Sequence, residues 1–223
     1  MAKNKQQKFK DLLSFKNTIQ PNKEDLLNNK FNLKGKWNNE FKNKGKIILE
    51  LGCGKGEYSI NLAKKNPNFN FIGIDIKGSR IWHGAKNAIE NNLDNVRFLR
   101  TQIEFLPYCF AQNEVSEIWI TFPDPQIKFR RRKKRLTSPA MLFRYRKILK
   151  KNSLLHLKTD SLYLHGYTLG VLEQIDATIK VTSHDIYNSE LISKYDFLKI
   201  NTFYEKQFLK NNNPITYICF QIN

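Results

Sequence analysis

Short apolar runs alternate with amphipathic stretches through most of the chain. Residues 47–51 are apolar except for Glu50, and apolar residues then return at helical spacing over residues 57–65. A continuous apolar run of this length is typical of a buried strand, and a spacing near 3.6 residues is typical of a helix that packs one face against a core. The pattern therefore predicts a strand followed by a helix.

This alternation continues along the chain. Further strands are predicted to end at Asp75 and to span residues 95–99, 115–122, 153–158, 177–183 and 216–222, and further helices to span residues 79–91, 139–149 and 162–175. Strands that alternate with helices form a mostly parallel sheet with helices on both faces. The prediction is an α/β protein with a Rossmann-like fold, built as a three-layer sandwich around that sheet.

The first 46 residues lack this alternation. They hold twelve lysines, four acidic residues, no arginine and few apolar residues, a composition typical of segments that bury little surface of their own. We predict a basic, partly disordered N-terminal arm over residues 1–45, with one short helix, and a catalytic domain over residues 46–223. Around Trp37, packing against the core and a role as a lid or nucleic-acid contact are both open.

The net charge is the strongest global signal. Lysine and arginine number 38 against 20 aspartate and glutamate, a formal charge of +18, and a field of that sign attracts polyanions such as nucleic acid. The three cysteines lie far apart without a C-x-x-C pair, so no disulfide framework and no metal site are expected. No apolar run is as long as a membrane span, which favours a cytoplasmic protein without a membrane partner.

A glycine-rich turn joins the first strand to the first helix. Gly52, Gly54 and Gly56 follow the strand as G-x-G-x-G, and glycine suits a turn that needs positive φ and lets a ligand approach the backbone. Nicotinamide and flavin sites use G-x-G-x-x-G instead. The observed spacing favours S-adenosylmethionine, and with it a class I S-adenosylmethionine-dependent methyltransferase fold. A tight strand-to-helix connection without a ligand is the alternative.

Polar residues stand at or near successive strand ends, at Glu50, Asp75 and Gln102. The carboxyl ends of parallel strands meet at one edge of the sheet, where ligands bind. A carboxylate at Asp75 can accept hydrogen bonds from both hydroxyls of a ribose, and Gln102 can reach the edge of an adenine. The sequence therefore predicts a cofactor site that includes Glu50, Gly52, Gly54, Asp75 and Gln102. For Gln102, a surface amide without a ligand is equally open.

Asp124 follows a predicted strand between Pro123 and Pro125. The two prolines fix the backbone on either side, which suits a side chain whose position matters for chemistry. An ordinary Asp-Pro turn is the alternative. Because Asp124 stands at a strand end, it is expected to face the same crevice as Glu50 and Asp75.

A run of seven basic residues in eight begins at Lys128 and ends at Arg135. Such runs usually form a solvated or disordered surface. This run lies between a strand end and a helix, so it is expected at the mouth of the crevice, where arginines clamp phosphates and stack on bases. The predicted nucleic-acid contacts are Lys128, Arg130, Arg131, Arg132, Lys133, Lys134 and Arg135.

Four segments resemble, in the same order, the bacterial tRNA (guanine-N7)-methyltransferases. They are residues 49–56, residues 122–137 with the basic run, Lys158-Thr159-Asp160 and Thr202-Phe203-Tyr204-Glu205. The resemblance covers about residues 35–222. It implies transfer of a methyl group from S-adenosylmethionine to N7 of a guanine in the variable loop of tRNA.

The resemblance also implies roles for single residues at the cofactor. Glu50, Asp75 and Asp124 match cofactor-contacting positions, and Asp124 also matches the suspected catalytic position. Gln102 stands where the family often has aspartate or asparagine. Gln126 replaces the usual tryptophan after P-D-P, and the basic run lacks the customary histidine.

On the tRNA side, the resemblance assigns substrate contacts to Lys128, Asp160, Thr202 and Glu205. Guanine N7 is a lone pair without a proton, so its methylation needs no general base, and the four histidines share no motif. A carboxylate fits because the methylated ring is cationic. Two alternatives stay open, a methyltransferase for an exocyclic amine of RNA or DNA and a non-catalytic RNA-binding protein with a degenerate nucleotide fold. A monomer and a homodimer are equally compatible with the sequence.

Overall fold

The computed structural model describes residues 2–222, with side chains from residue 5 onward. One sheet contains the strands β1 (Thr18–Ile19), β2 (Ile47–Leu51), β3 (Asn70–Asp75), β4 (Val96–Arg100), β5 (Val115–Thr121), β6 (Leu149–Thr159), β7 (Thr178–Ser183) and β8 (Thr216–Gln221). Their order across the sheet is β1-β4-β3-β2-β5-β6-β8-β7. Neighbouring strands are parallel except at β8, which is antiparallel to β6 and β7. The prediction of a mostly parallel sheet is therefore confirmed.

Helices connect and cover these strands. Within residues 2–222 they are α1 (Ala2–Ser14), α2 (Lys23–Leu27), α3 (Trp37–Phe41), α4 (Glu57–Lys65), α5 (Gly78–Glu90), α6 (Leu106–Cys109), α7 (Pro139–Arg146), α8 (Leu162–Gln174), α9 (Leu191–Lys194) and α10 (Phe203–Lys210). Short 3-10 helices span Ile103–Phe105, Phe129–Lys134 and Asp196–Lys199.

Helices pack on both faces of the sheet because side chains alternate between the faces along each strand. Leu49 and Leu51 of β2 belong to a core that they share with residues of α2, α3, α6, α7 and α8. Ile48, between them, belongs to a second core that contains residues of α1, α4 and α5. Two cores separated by one sheet make the predicted three layers.

The N-terminal segment adds a helix and an edge strand to this domain. Leu12 of α1 is buried in the second core, and Asp11 accepts a hydrogen bond from the indole N–H of Trp82 on α5 at 2.8 Å. β1 pairs in parallel with β4, with Thr18 opposite Phe98. The sequence pattern predicted one short helix here but not the strand.

Trp37 lies in the core rather than on the surface. Its side chain is fully buried, stacks on Phe110 with ring centres 5.2 Å apart, and donates its indole N–H to the Cys109 carbonyl at 3.0 Å. The sequence left open whether this residue packs against the core or serves as a lid or nucleic-acid contact. In the structure it packs against the core. The division of the chain at residue 45 stays a prediction.

The boundary between α7 and β6 differs from the prediction. The helix ends at Arg146, and the strand begins at Leu149, which pairs with Val115. Asn152 then adopts a φ of 62°, and the register against β5 shifts. A left-handed residue inside a strand makes a bulge that a periodic pattern does not reveal. The predicted strand therefore started too late, at residue 153.

Candidate active site

The glycine turn has the backbone that its sequence predicts. Gly52, Gly54 and Gly56 have φ values of 73°, 56° and 69°. A Cβ on Gly56 would lie 2.4 Å from the Phe98 ring, so packing requires this glycine. A Cβ on Gly54 would meet nothing within 4 Å. Gly54 therefore presents bare backbone to open space, as the close approach of a ligand requires.

Asp75 closes this turn from the neighbouring strand. One carboxylate oxygen accepts the N–H of Gly54 at 3.0 Å, and the other accepts the N–H of Lys77 at 2.8 Å. Each oxygen keeps a lone pair for a further donor. The ends of β2 and β3 thus bring an acidic side chain and the glycine backbone together. Ribose binding by Asp75 stays a prediction, which this placement supports.

Glu50 is buried beneath the turn. Its Oε2 accepts both the N–H of Ser59, at 2.8 Å, and the hydroxyl of that residue, while Oε1 accepts the hydroxyl of Thr121 at 2.9 Å. Burial raises the pKa of Glu50 to about 7. The carboxyl group therefore joins β2, α4 and β5 at the wall of the crevice, which Glu50 lines. Its direct contact with a cofactor stays a prediction.

Replacement of Glu50 by glutamine is expected to remove a pH-dependent loss of stability. The ordinary pKa is 4.5, against about 7 in the folded protein. Between these values the folded state holds a proton that the unfolded state has lost, so the free energy of unfolding falls as pH rises through this window. The shift corresponds to about 3 kcal/mol. Glutamine carries no charge and can keep hydrogen bonds to Ser59 and Thr121.

Urea denaturation at the two ends of this pH window measures the effect. The stability of Glu50→Gln relative to the unmodified protein should increase with pH. Glu173→Gln, at an exposed position of α8, is the matched control and should show no such trend. A Glu50→Gln difference that is constant across the window would contradict the buried titration of this carboxyl.

Asp124 is exposed at the end of β5, in a constrained loop. Phe122 and Gln126, two residues away on either side, have φ values of 48° and 47°, a conformation that costs a non-glycine residue about 1–3 kcal/mol. The Asp124 carboxylate accepts hydrogen bonds from the Gln126 N–H at 3.1 Å and from its Nε2 at 2.8 Å. Strain of this kind is concentrated at functional sites, which supports the role predicted for Asp124.

Thr202 and Glu205, which were predicted to contact tRNA, form hydrogen bonds at the start of α10. Thr202 Oγ1 accepts the N–H of Glu205 at 3.2 Å and the Glu205 carboxylate accepts the N–H of Thr202, a capping box that begins α10. Glu205 is fully buried and Thr202 is 7% exposed. Both residues therefore hold the helix, Thr202 also lines the crevice, and their contact with tRNA stays a prediction. The spacing T-x-x-E is itself a sequence signature of a helix start, so this role could have been found.

Phe203 and Tyr204 follow Thr202 and face the crevice with it. Both are about half exposed, and both line the crevice with the glycine turn. Glu57 accepts the N–H of Phe203 at 2.9 Å, and the Lys55 ammonium lies 4.7 Å from the centre of the Phe203 ring. The resemblance includes these two aromatic residues in the Thr202–Glu205 segment, but neither of them is assigned a role of its own. Exposed rings beside strand ends suit contact with an unstacked base.

Lys158 explains the burial of Glu205. Its ammonium donates to the carbonyls of Leu198 and Ile200 at 2.8 and 3.1 Å and contacts the Glu205 carboxylate at 2.7 Å, without exposure of either charged side chain. Burial lowers the pKa of Lys158 and raises that of Glu205, and the attraction between them opposes both shifts. Asp160, two residues on, is partly buried, which raises its pKa. Its contact with tRNA stays a prediction.

The basic run is exposed from Lys128 to Lys134 and forms a 3-10 helix over Phe129–Lys134. Six basic side chains therefore reach solvent close to Asp124 in the sequence, and their contact with tRNA stays a prediction. Gln102 is also exposed, at the start of the 3-10 helix that follows β4. Its contact with a cofactor likewise stays a prediction.

Arg135 differs from the rest of the run. It is 4% exposed, and its guanidinium donates to the carbonyls of Gln126 and Ile127 and to the hydroxyl of Tyr163. A side chain committed to these partners holds the loop that carries Asp124. Contact of Arg135 with tRNA stays a prediction, which this burial does not support.

Comparison with known proteins identifies the family. A family model described as "Putative methyltransferase" matches residues 44–218. The tRNA (guanine-N(7)-)-methyltransferase of Christiangramia forsetii is 58% identical over 222 residues, which cover 99% of each chain. This chain belongs to the tRNA (guanine-N(7)-)-methyltransferase family. The Bacteroides fragilis member is 45% identical over 99% of this chain and 86% of its own.

Solved structures similar to this family member share its fold. The 16S rRNA methyltransferase KamB has a TM-score of 0.65 at 14% identity, over 85% of this chain and 93% of its own. A SAM-dependent methyltransferase from Aquifex aeolicus has a TM-score of 0.55 at 16% identity, over 91% and 94%. At these identities the similarity shows the fold alone, which is the predicted Rossmann-like class I methyltransferase fold.

Other features of this family member lie outside the crevice. Among the described residues, four surface clefts that are larger than the crevice contain no predicted site residue. No helix within residues 2–222 is long and apolar enough to cross a membrane. In the same part of the chain, no group of three or more His, Cys, Asp or Glu residues is placed to hold a metal ion.

Proposed function

We propose that this protein transfers a methyl group from S-adenosylmethionine to N7 of a guanine in the variable loop of tRNA, in the cytoplasm. The observation that carries the proposal is the arrangement at three adjacent strand ends. The glycine turn follows β2, Asp75 ends β3, and Asp124 follows β5. Ligands in such sheets bind at this edge, and the family supports the choice of acceptor.

The residues at this edge fit S-adenosylmethionine. Gly54 leaves open space above its backbone, and Asp75 keeps lone pairs for two ribose hydroxyls. Ile76, the next residue, is apolar and about half exposed, which suits the face of an adenine. We expect Gly52, Gly54 and Asp75 to hold the cofactor, with Gln102 at the adenine edge. When bound, S-adenosylmethionine supplies an electrophilic methyl group.

The task of the protein's own residues is then to orient the guanine and exclude water. N7 attacks through a lone pair and carries no proton, so no side chain is needed as a base. The methylated ring becomes cationic, and the exposed carboxylate of Asp124 stabilises that charge as it develops. Phe203 and Tyr204 offer aromatic faces for the base in the crevice beside the glycine turn.

Replacement of Arg130, Arg131 and Arg132 by glutamine is expected to weaken tRNA binding and to leave cofactor affinity unchanged. These side chains are exposed, and each phosphate that they neutralise releases counterions. The dependence of log K on log salt concentration should therefore flatten by roughly 0.7 to 0.9 for each phosphate that is no longer neutralised. Filter binding of tRNA over a range of salt concentrations measures this slope.

The matched control replaces Lys36, Lys42 and Lys44 by glutamine. These three lysines are exposed and line a different cleft, near the start of β2. Both variants lose three positive charges, so a flatter slope in the arginine variant reports local phosphate binding rather than net charge. Equal slopes in the two variants would assign the basic run to a solvated surface.

Nucleoside analysis of tRNA after incubation with the protein and labelled S-adenosylmethionine tests the proposal directly. The expected product is 7-methylguanosine at one position in the variable loop. A label on an exocyclic amine would replace the proposal with the alternative enzyme class. Binding of tRNA without binding of the cofactor would instead favour a non-catalytic RNA-binding protein.

A further inference from the structure

Gln126 donates two hydrogen bonds to Asp124, the proposed catalytic residue. Its backbone N–H donates to one oxygen of the Asp124 carboxylate at 3.1 Å, and its Nε2 donates to the other at 2.8 Å. The amide has this orientation because the reversed one would place its oxygen against the carboxylate. One residue therefore occupies both oxygens of Asp124 and fixes the rotation of the carboxylate.

Gln126 holds this position at a cost in stability. Its φ of 47° lies in the left-handed region that residues with a Cβ avoid. Its Oε1 is buried and has no hydrogen-bond partner in the part of the chain that the structure describes, and a buried unpaired acceptor is destabilising. Costs of this kind are retained where function needs the geometry.

Arg135 supplies the restraint that keeps Gln126 in place. Its Nε and Nη2 donate to the Gln126 carbonyl at 3.2 and 3.1 Å, and Nη2 also donates to the Tyr163 hydroxyl at 2.6 Å. The guanidinium lies 5.1 Å from the centre of the Tyr163 ring and 4.3 Å from that of Tyr167. A nearly buried guanidinium with two donors on one carbonyl fixes that peptide group.

We propose that Gln126 is a positioning residue for methyl transfer, which aims the Asp124 carboxylate at the acceptor guanine while Arg135 holds Gln126. This inference rests on the proposed function. Gln126 acts through Asp124, and its Nε2 donates to the Asp124 carboxylate. Replacement of Gln126 should therefore slow the chemical step rather than weaken tRNA binding.

The first test is single-turnover methyl transfer by Gln126→Met at saturating tRNA and cofactor. Methionine keeps the length of the side chain but donates no hydrogen bond, so the rate should fall by about 10- to 100-fold, the scale that a misplaced catalytic group produces. The dissociation constant for tRNA should not change. Gln112→Met, at an exposed glutamine before β5, is the matched control and should react at the rate of the unmodified protein.

The second test, Gln126→Glu, separates positioning from structural support. Ionised glutamate repels the Asp124 carboxylate, whereas protonated glutamate donates its O–H to Asp124 as the amide does. Among the described residues, the charged or titratable groups in contact with residue 126 are Asp124 and Arg135. Arg135 in turn contacts Tyr163 and Tyr167. The rate relative to the unmodified protein should therefore rise as pH falls and the introduced glutamate takes up a proton, while the Gln126→Met ratio stays constant.

These outcomes separate the inference from the proposed function. An unchanged rate in Gln126→Met, or a Gln126→Glu ratio that does not vary with pH, would overturn the positioning role of Gln126. Failure of the unmodified protein to methylate tRNA would overturn the proposed function instead. Recovery of Gln126→Glu at low pH cannot come from a misfolded protein, so the result also controls for structural damage.

Discussion

Replacement of Asp124 by alanine is expected to slow the methyl-transfer step by about 10²- to 10³-fold, the range found when one preorganised electrostatic group is removed from a transition state. The carboxylate is exposed at the end of β5 and is held by Gln126, so it can offset the positive charge that develops on the guanine ring. Single-turnover kinetics at saturating tRNA and cofactor measure this step apart from product release. Calorimetry of cofactor binding measures separately the cofactor contact that the resemblance also implies for Asp124. An unchanged single-turnover rate at saturating cofactor would contradict the catalytic role.

A tRNA with 7-deazaguanosine at the acceptor position tests which atom reacts. The analogue keeps the shape and the pairing edge of guanine but has carbon in place of N7. It should bind as unmodified tRNA does and should accept no methyl group. Methylation of this RNA would move the reaction to another atom and would favour the exocyclic-amine class.

Replacement of Lys158 by methionine is expected to lower the free energy of unfolding by about 3–5 kcal/mol. Glu205 would stay fully buried without its cation, and the carbonyls of Leu198 and Ile200 would lose a donor. Urea denaturation followed by circular dichroism measures the loss. A Lys158→Met protein as stable as the unmodified one would show that the buried ion pair does not hold α10.

An exposed ion pair with the same separation gives the matched control. Lys199 and Asp196 are 2.7 Å apart, as are Lys158 and Glu205, but both side chains reach solvent. Lys199→Met should cost less than about 1 kcal/mol. The double variant Lys158→Met with Glu205→Gln should recover part of the lost stability, because it no longer buries an unpaired charge.

The elements from β2 to α8, except the four-residue helix α6, could be predicted because their signals are local. The apolar run of β2 and the buried face of α5, with Ile81 and Ala85, are visible within a window of a few residues. β1 could not be predicted, since two residues carry no pattern and the strand is defined only by pairing with Phe98 and Leu99 far along the chain. The place of β8 between β6 and β7 depends on tertiary contacts in the same way.

In the candidate site, too, the residues with a local sequence signal could be predicted and those that depend on distant contacts could not. Gly54 and Asp75 could be found because a glycine turn and an acid at a strand end are readable in short segments. The burial of Glu205 and Arg135 could not be predicted from the sequence, because it depends on contacts with Lys158 and Tyr163. Lys158 lies 47 positions before Glu205. The prediction for Glu205 rests on the family resemblance and that for Arg135 on its place in a basic run, and neither signal reveals burial.

β1 also affects how the nascent protein avoids aggregation. An open sheet edge exposes unpaired N–H and C=O groups that can pair with another chain. β1 covers the edge of β4, where the Phe98 N–H donates to the Asn17 carbonyl at 2.8 Å, and β1 precedes β4 in the chain. The cover is therefore already synthesised when β4 leaves the ribosome, whereas the β2 edge stays open until β5 follows. During translation, we therefore expect intermolecular strand pairing at the open edge of β2 rather than at that of β4.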